Sequence, residues 1–166
     1  MTALPRNTRP LFLALFAYCA VLLGFGLYLQ HFQGLEPCPM CIMQRYAFAL
    51  VGIIALVAGV HGPGSGGTRV YGGLMLLTAL AGAGVAARQT WMQLYPPELP
   101  ECGPGLEYML ESFPLTSALP MIFRGAGDCS AIDWTFLGLS LANWSLLNFS
   151  AAALLALWLM FARRAA

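Results

Sequence analysis

Four apolar runs decide what this chain can fold into. A helix needs about 20 mostly apolar residues to cross the ~30 Å hydrocarbon core of a bilayer. Residues 11–30, 42–60, 70–87 and 144–161 meet that length, and Arg45 is the sole charge inside them. None alternates with period two, so helices rather than strands are expected. The composition agrees: 59% of residues are hydrophobic and 9% charged, against roughly 25% charged in a soluble domain. That balance excludes a disordered tail, a nucleic-acid binder and most soluble enzymes of this length, and makes the lipid bilayer the solvent. The expectation is an all-α membrane protein, a four-transmembrane-helix bundle forming a single integral membrane domain over residues 1–166. Gly72-Gly73 and Gly82-Ala83-Gly84 in the third run would let neighbouring helices approach closely.

The connections are unequal. Residues 31–41 form a short loop, residues 61–69 a glycine-rich turn, and residues 88–143 a long loop of the kind that usually carries function. Arg6, Arg9, Arg69, Arg163 and Arg164 fall on one side with no acid. Arg45, Arg88 and Arg124 fall on the other, with all 7 acidic residues. The positive-inside rule makes the first side cytoplasmic, with both termini there and the loops at 31–41 and 88–143 outside. The first run is longer than the 7–15 residues or so of a signal-peptide core. Tyr18 before Cys19 is too large for lipoprotein-type cleavage, so a retained span is expected.

This topology sorts the cysteines. Cys19 lies in mid-span and reads as a small packing residue. Cys38, Cys41, Cys102 and Cys129 share the outer compartment, where disulfides persist. Cys38-Pro39-Met40-Cys41 is a C-x-x-C motif opening the second span. Helix N-termini carry about +0.5 charge, which stabilises a thiolate there. Arg45 follows Cys41 by one turn and would add to that stabilisation. The thiolate is the attacking species in disulfide exchange, so a redox pair is favoured over a structural disulfide, whose tiny loop would restrain the unfolded chain little. Arg45 could instead snorkel to the interface, but an ionisable residue just inside a span points first to function. Zinc is disfavoured, because Cys102 and Cys129 are not a close pair.

Cys102 follows Pro96, Pro97 and Pro100 and precedes Gly103-Pro104, a segment that reads as exposed loop. Taken alone, Cys102 and Cys129 fit a stabilising loop disulfide as well as a redox pair. Beside a C-x-x-C in the same compartment, redox activity is favoured. Residues 113–123 are apolar but too short to span, and suit the outer interface.

A redox disulfide in a membrane needs an electron acceptor. C-type haem attachment requires C-x-x-C-H, and residue 42 is Ile. His31 and His61 fall at opposite membrane faces. Residues 82–87 match G-x-G-x-x-A by letter, but within a lipid span and after no strand. No iron–sulfur spacing occurs. A lipid-soluble quinone remains.

With these residues, the sequence resembles the bacterial disulfide bond formation protein B (DsbB) family. The likeness rests on four spans, the C-x-x-C, the arginine four residues on and the paired loop cysteines. Gln93-Leu94-Tyr95-Pro96-Pro97 leading to Cys102, and Gly127-Asp128-Cys129 followed by Trp134-Thr135-Phe136-Leu137-Gly138-Leu139, add to it. The resemblance implies an inner-membrane thiol:quinone oxidoreductase that reoxidises a periplasmic DsbA-like thiol oxidase. It implies that Cys102 forms the mixed disulfide with that partner, with Cys129 as its loop mate. Cys38 and Cys41 would reoxidise this pair and pass two electrons to ubiquinone or menaquinone. Cys41 would face the quinone ring, with Arg45 polarising it. The family often carries a histidine or similar polar residue near the end of span three. Here Arg88-Gln89-Thr90-Trp91 stands in that region, so a histidine role does not carry over, and Gln89 or Arg88 is the candidate for quinone contact. A DsbA-type oxidant has a potential of about −120 mV, so only an acceptor well above that can regenerate it. Two other readings compete: a thiol-driven quinone or quinone-epoxide reductase, and a non-catalytic membrane scaffold with structural disulfides.

Overall fold

A computed structural model describes residues 8–96 and 129–161. It contains four long helices: α1 (Arg9–Phe32), α2 (Pro39–His61), α3 (Ser65–Leu94) and α4 (Leu141–Phe161). All four are long and apolar enough to cross a membrane. A two-stranded antiparallel hairpin, β1 (Thr135–Phe136) and β2 (Leu139–Ser140), precedes α4.

The helices outrun the apolar runs that reveal them. Residues 65–69 are helical, so the link between α2 and α3 is only Gly62-Pro63-Gly64. Gly62 caps α2 in the left-handed region, at φ 62°, a conformation that favours glycine. Residues 88–94, expected in the long loop, instead complete α3. Hydropathy marks where lipid begins and ends, whereas a backbone keeps its hydrogen-bond ladder beyond that edge. This extension puts Gln89 and Gln93 on a rigid element.

α1 packs on α2, α2 on α3, and α3 on α4. Gly72 and Gly82 provide the close approach of α3 to α4. A Cβ on Gly72 would meet Met160 Cγ at 3.0 Å, and one on Gly82 would lie 2.5 Å from the Phe149 ring. A Cβ on Gly84 would meet nothing within 4 Å among the described residues. Phe12 of α1 shares a buried cluster with Ala55, Met75, Ala156 and Leu159, which joins all four helices at one end of the bundle. Phe48 stacks on Phe149 further along, with ring centroids 3.9 Å apart. Cys19 is buried, in line with a packing role, and its Cβ faces Gly52.

At the other end, the chain is pinned by caps. Cys38 is the N-cap of α2, and its Sγ accepts a hydrogen bond from the Cys41 amide at 3.3 Å. Pro39 occupies the first helical turn, where no amide donor is needed. Ser140 Oγ accepts from the Asn143 amide at 3.3 Å, the capping geometry that starts α4, and donates to Gln93 Oε1 at 2.6 Å. The hairpin turns at Leu137 and Gly138, both at positive φ (53° and 78°). That backbone suits the tight two-residue turn of a hairpin.

Candidate functional site: a cysteine cluster between two cavities

The sequence elements just described bring Cys38, Cys41 and Cys129 into one cluster with Met40, Val85 and Met92. No disulfide links the described cysteines. Cys38 Sγ donates to Cys41 Sγ at 2.9 Å. Cys38 also hydrogen-bonds Cys129 through its side chain. That bond first, then the bond to Cys41 and burial, pushes the Cys38 thiol well above the ordinary thiol range. Cys129 is fully buried. Cys102 and residues 113–123 lie outside the described residues.

Gln89 reaches the cluster from α3. Its Nε2 donates to Cys38 Sγ and to Cys41 Sγ, both at 3.3 Å. Its Oε1 accepts from Gln44 Nε2 at 2.7 Å. Both glutamines are buried, at 3% and 4% exposure. Gln44 escaped the sequence reading. A single uncharged polar residue in a span is unremarkable, and its partner is remote in sequence. Its one signal is position: Gln44 lies three residues after Cys41, about one helical turn along.

Among the described residues, Arg45 does not hydrogen-bond a sulfur. Its Nη1 donates to Gln30 Oε1 at 2.5 Å and its Nη2 to the Gly26 carbonyl at 3.0 Å. A Cβ at Gly26 would meet Arg45 Nε at 3.5 Å, an ordinary packing distance, so Arg45 lies directly against α1 there. The guanidinium is thus clamped against α1, with its charge beside the cysteines.

Two cavities meet at this point. The larger, of about 550 Å³, opens between α1 and α4, and its lining includes Cys41, Gln44, Arg45, Phe48, Trp134 and Trp144. Its walls are overwhelmingly apolar, and its roof is aromatic. Trp134 packs edge-on to Phe25 at 5.7 Å between ring centroids, and stacks with Phe136 at 6.0 Å. Trp144 Nε1 donates to the Phe136 carbonyl at 3.1 Å, which ties α4 to the hairpin. Deeper in, a hydrogen bond from the Tyr18 hydroxyl to Asn148 Oδ1 bridges α1 and α4. The smaller cavity, of about 70 Å³, is lined by Glu36, Cys38, Cys41, Gln89, Gln93 and Asp133, among others. Cys41 and Arg45 line both cavities, whereas Cys38 lines only the smaller, more polar one.

This arrangement can do specific chemistry. The larger volume falls in the range of small-molecule sites, and Gln44 and Arg45 share its lining with Cys41. Two thiols in contact can close to a disulfide, with one of them open to an apolar ligand.

Known proteins resemble this chain over nearly its whole length. The family model for disulfide bond formation protein DsbB matches residues 8–159. Among similar proteins, disulfide bond formation protein B of Azoarcus sp. (strain BH72) is 88% identical, with 99% of each chain covered. That of Aromatoleum aromaticum is 69% identical over 95% of each. That of Chromobacterium violaceum is 47% identical, over 95% of this chain and 96% of the other. A four-helix membrane protein with Cys38, Cys41 and Cys129 gathered at the head of α2, the chain belongs to the DsbB family of disulfide bond formation proteins.

Proposed function

We propose that this protein reoxidises a periplasmic DsbA-type dithiol oxidase and passes the electrons, through two cysteine pairs, to a membrane quinone. One observation carries the reading. Cys41 is the sulfur that borders both the apolar cavity and the polar one, and it is in contact with Cys38. A relay between a water-side thiol and a lipid-side acceptor needs such a sulfur.

The larger cavity suits a quinone by its chemistry. Its apolar walls fit a ring and tail, and it lies between α1 and α4, where a tail can leave toward lipid. Arg45, a donor with no acceptor capacity, suits a carbonyl oxygen. Such a ring supplies a two-electron, two-proton acceptor: two thiols become one disulfide, and the quinone becomes quinol.

The chain's own groups do the rest. Gln89 Nε2 donates to both sulfurs and so stabilises negative charge on either of them. The start of α2 adds its amides, one of which already points at Cys38 Sγ. Cys129 beside Cys38 provides the route from the second pair. An attacking thiolate displaces one sulfur of a disulfide, so Cys38 in contact with Cys129 allows exchange between the loops. Cys102 is the proposed site of the mixed disulfide with the soluble partner. The arginine-rich ends and their acid-free side support cytoplasmic termini and cysteines facing the periplasm of the inner membrane.

Redox titration of the purified full chain, with and without a ubiquinone analogue, tests the reading. The expected result is dithiol oxidation that proceeds to completion only with quinone, with one quinone reduced per disulfide formed. Cysteines that resist mild dithiols and leave the quinone unchanged would overturn it.

A further inference from the structure

Gln44 has an atom that the protein leaves unused. The residue is 4% exposed and lines the larger cavity beside Cys41 and Arg45. Its Nε2 donates to Gln89 Oε1 at 2.7 Å. In this arrangement Gln89 Nε2 donates to both sulfurs at 3.3 Å, while Gln89 Oε1 accepts from Gln44 Nε2 and, at 3.8 Å, from Cys41 Sγ. That leaves Gln44 Oε1 without a hydrogen-bond partner among the described residues. A buried carbonyl without a donor is costly, and such groups in native proteins call for an explanation.

The chemistry of the two redox forms supplies one. An oxidised quinone ring offers acceptors only. A hydroquinone offers two O–H donors. Arg45 can serve the first kind of oxygen, because guanidinium only donates. Gln44 Oε1 can serve only a donor, and the reduced ring is the form that brings one.

We propose that Gln44 is a ligand-contacting residue that recognises the hydroquinone, its Oε1 accepting the hydrogen bond of a newly formed ring hydroxyl. The inference rests on the larger cavity being the quinone site. A group that binds the reduced form more tightly raises the midpoint potential of the bound pair. It therefore favours electron flow from the cysteines into the ring.

Equilibrium binding tests this without turnover. The full-length chain carrying Cys41→Ser, which cannot close the Cys38–Cys41 disulfide, is titrated with short-tailed ubiquinone and ubiquinol, read by quenching of tryptophan fluorescence. Trp134 and Trp144 line the cavity and report occupancy. Adding Gln44→Met, which removes the acceptor, should weaken ubiquinol binding about tenfold and change ubiquinone binding much less. That tenfold change corresponds to a potential shift of about 30 mV for two electrons. Adding Gln44→Glu keeps an acceptor oxygen and should preserve the ubiquinol preference. If the Met variant does not fold, the Glu variant decides: retained preference supports the role and lost preference overturns it. Equal weakening of both ligands in Gln44→Met, or none, also overturns it. If the protein with native Gln44 binds neither ring, the cavity is not the quinone site and both inferences fall together.

Discussion

Gln89 Nε2 stands 3.3 Å from Cys41 Sγ and the same distance from Cys38 Sγ, so one amide from α3 serves both sulfurs of the pair on α2. Hydrogen bonds to charged groups contribute about 1.5–3 kcal/mol. Gln89→Leu keeps the volume and removes the donor. Quinone reduction by the reduced protein should slow about tenfold or more, with helix content unchanged by circular dichroism. An unchanged rate would mean that the amide does not act on the sulfurs.

Arg45 is held by Gln30 and the Gly26 carbonyl, with its charge at the head of the larger cavity. Arg45→Ala should raise the apparent KM for quinone about tenfold, the usual scale for losing one charge-assisted hydrogen bond. Arg45→Lys should recover only part, because an ammonium cannot reproduce the planar fork that reaches two acceptors on α1. Steady-state kinetics over a range of quinone concentrations checks both, and an unchanged KM in Arg45→Ala would remove the residue from the site.

Cys38 and Cys129 are neighbours, although residues 88–143 were expected to form a separate loop. In a Cys41→Ser variant, mild oxidation should therefore link Cys38 to Cys129. Peptide mapping under non-reducing conditions identifies the bond. Its absence, with Cys38 still a thiol, would contradict the proximity.

The α3–α4 contact depends on Gly82, where a Cβ would lie 2.5 Å from the Phe149 ring. Gly82→Val should destabilise the bundle by about 1–3 kcal/mol, the usual cost of overpacking. Gly84→Val meets no described residue within 4 Å of its Cβ and should cost much less. Thermal unfolding in detergent compares them, and equal effects would refute the contact.

The helices, the C-x-x-C and Arg45 were legible because each has a local signal: a run of apolar residues, a spacing, a charge out of place. The ends of α3 were not. Residues 65–69 and 88–94 are too polar to register as a span, yet their backbone stays helical. The Gln44–Gln89 pair was half legible. Gln89 stood out near the end of the third run, while Gln44 gained meaning only when folding brought it within 2.7 Å of its partner. The contact of Cys38 with Cys129 joins positions far apart in sequence, and no local pattern encodes such a pairing. The role of Gly82 was visible in kind, but its partner Phe149 was not, since the packing register of two lipid-facing helices depends on shape.

The central claim is that Cys41 delivers electrons to a quinone in the cavity it borders. The direct measurement is the fall in quinone absorbance when the purified full-length protein is mixed with a reduced DsbA-type dithiol partner, compared between wild type and Cys41→Ser. The predicted result is one quinone reduced per partner disulfide formed in the wild type, and no reduction above background in Cys41→Ser. Full quinone reduction by Cys41→Ser would contradict it.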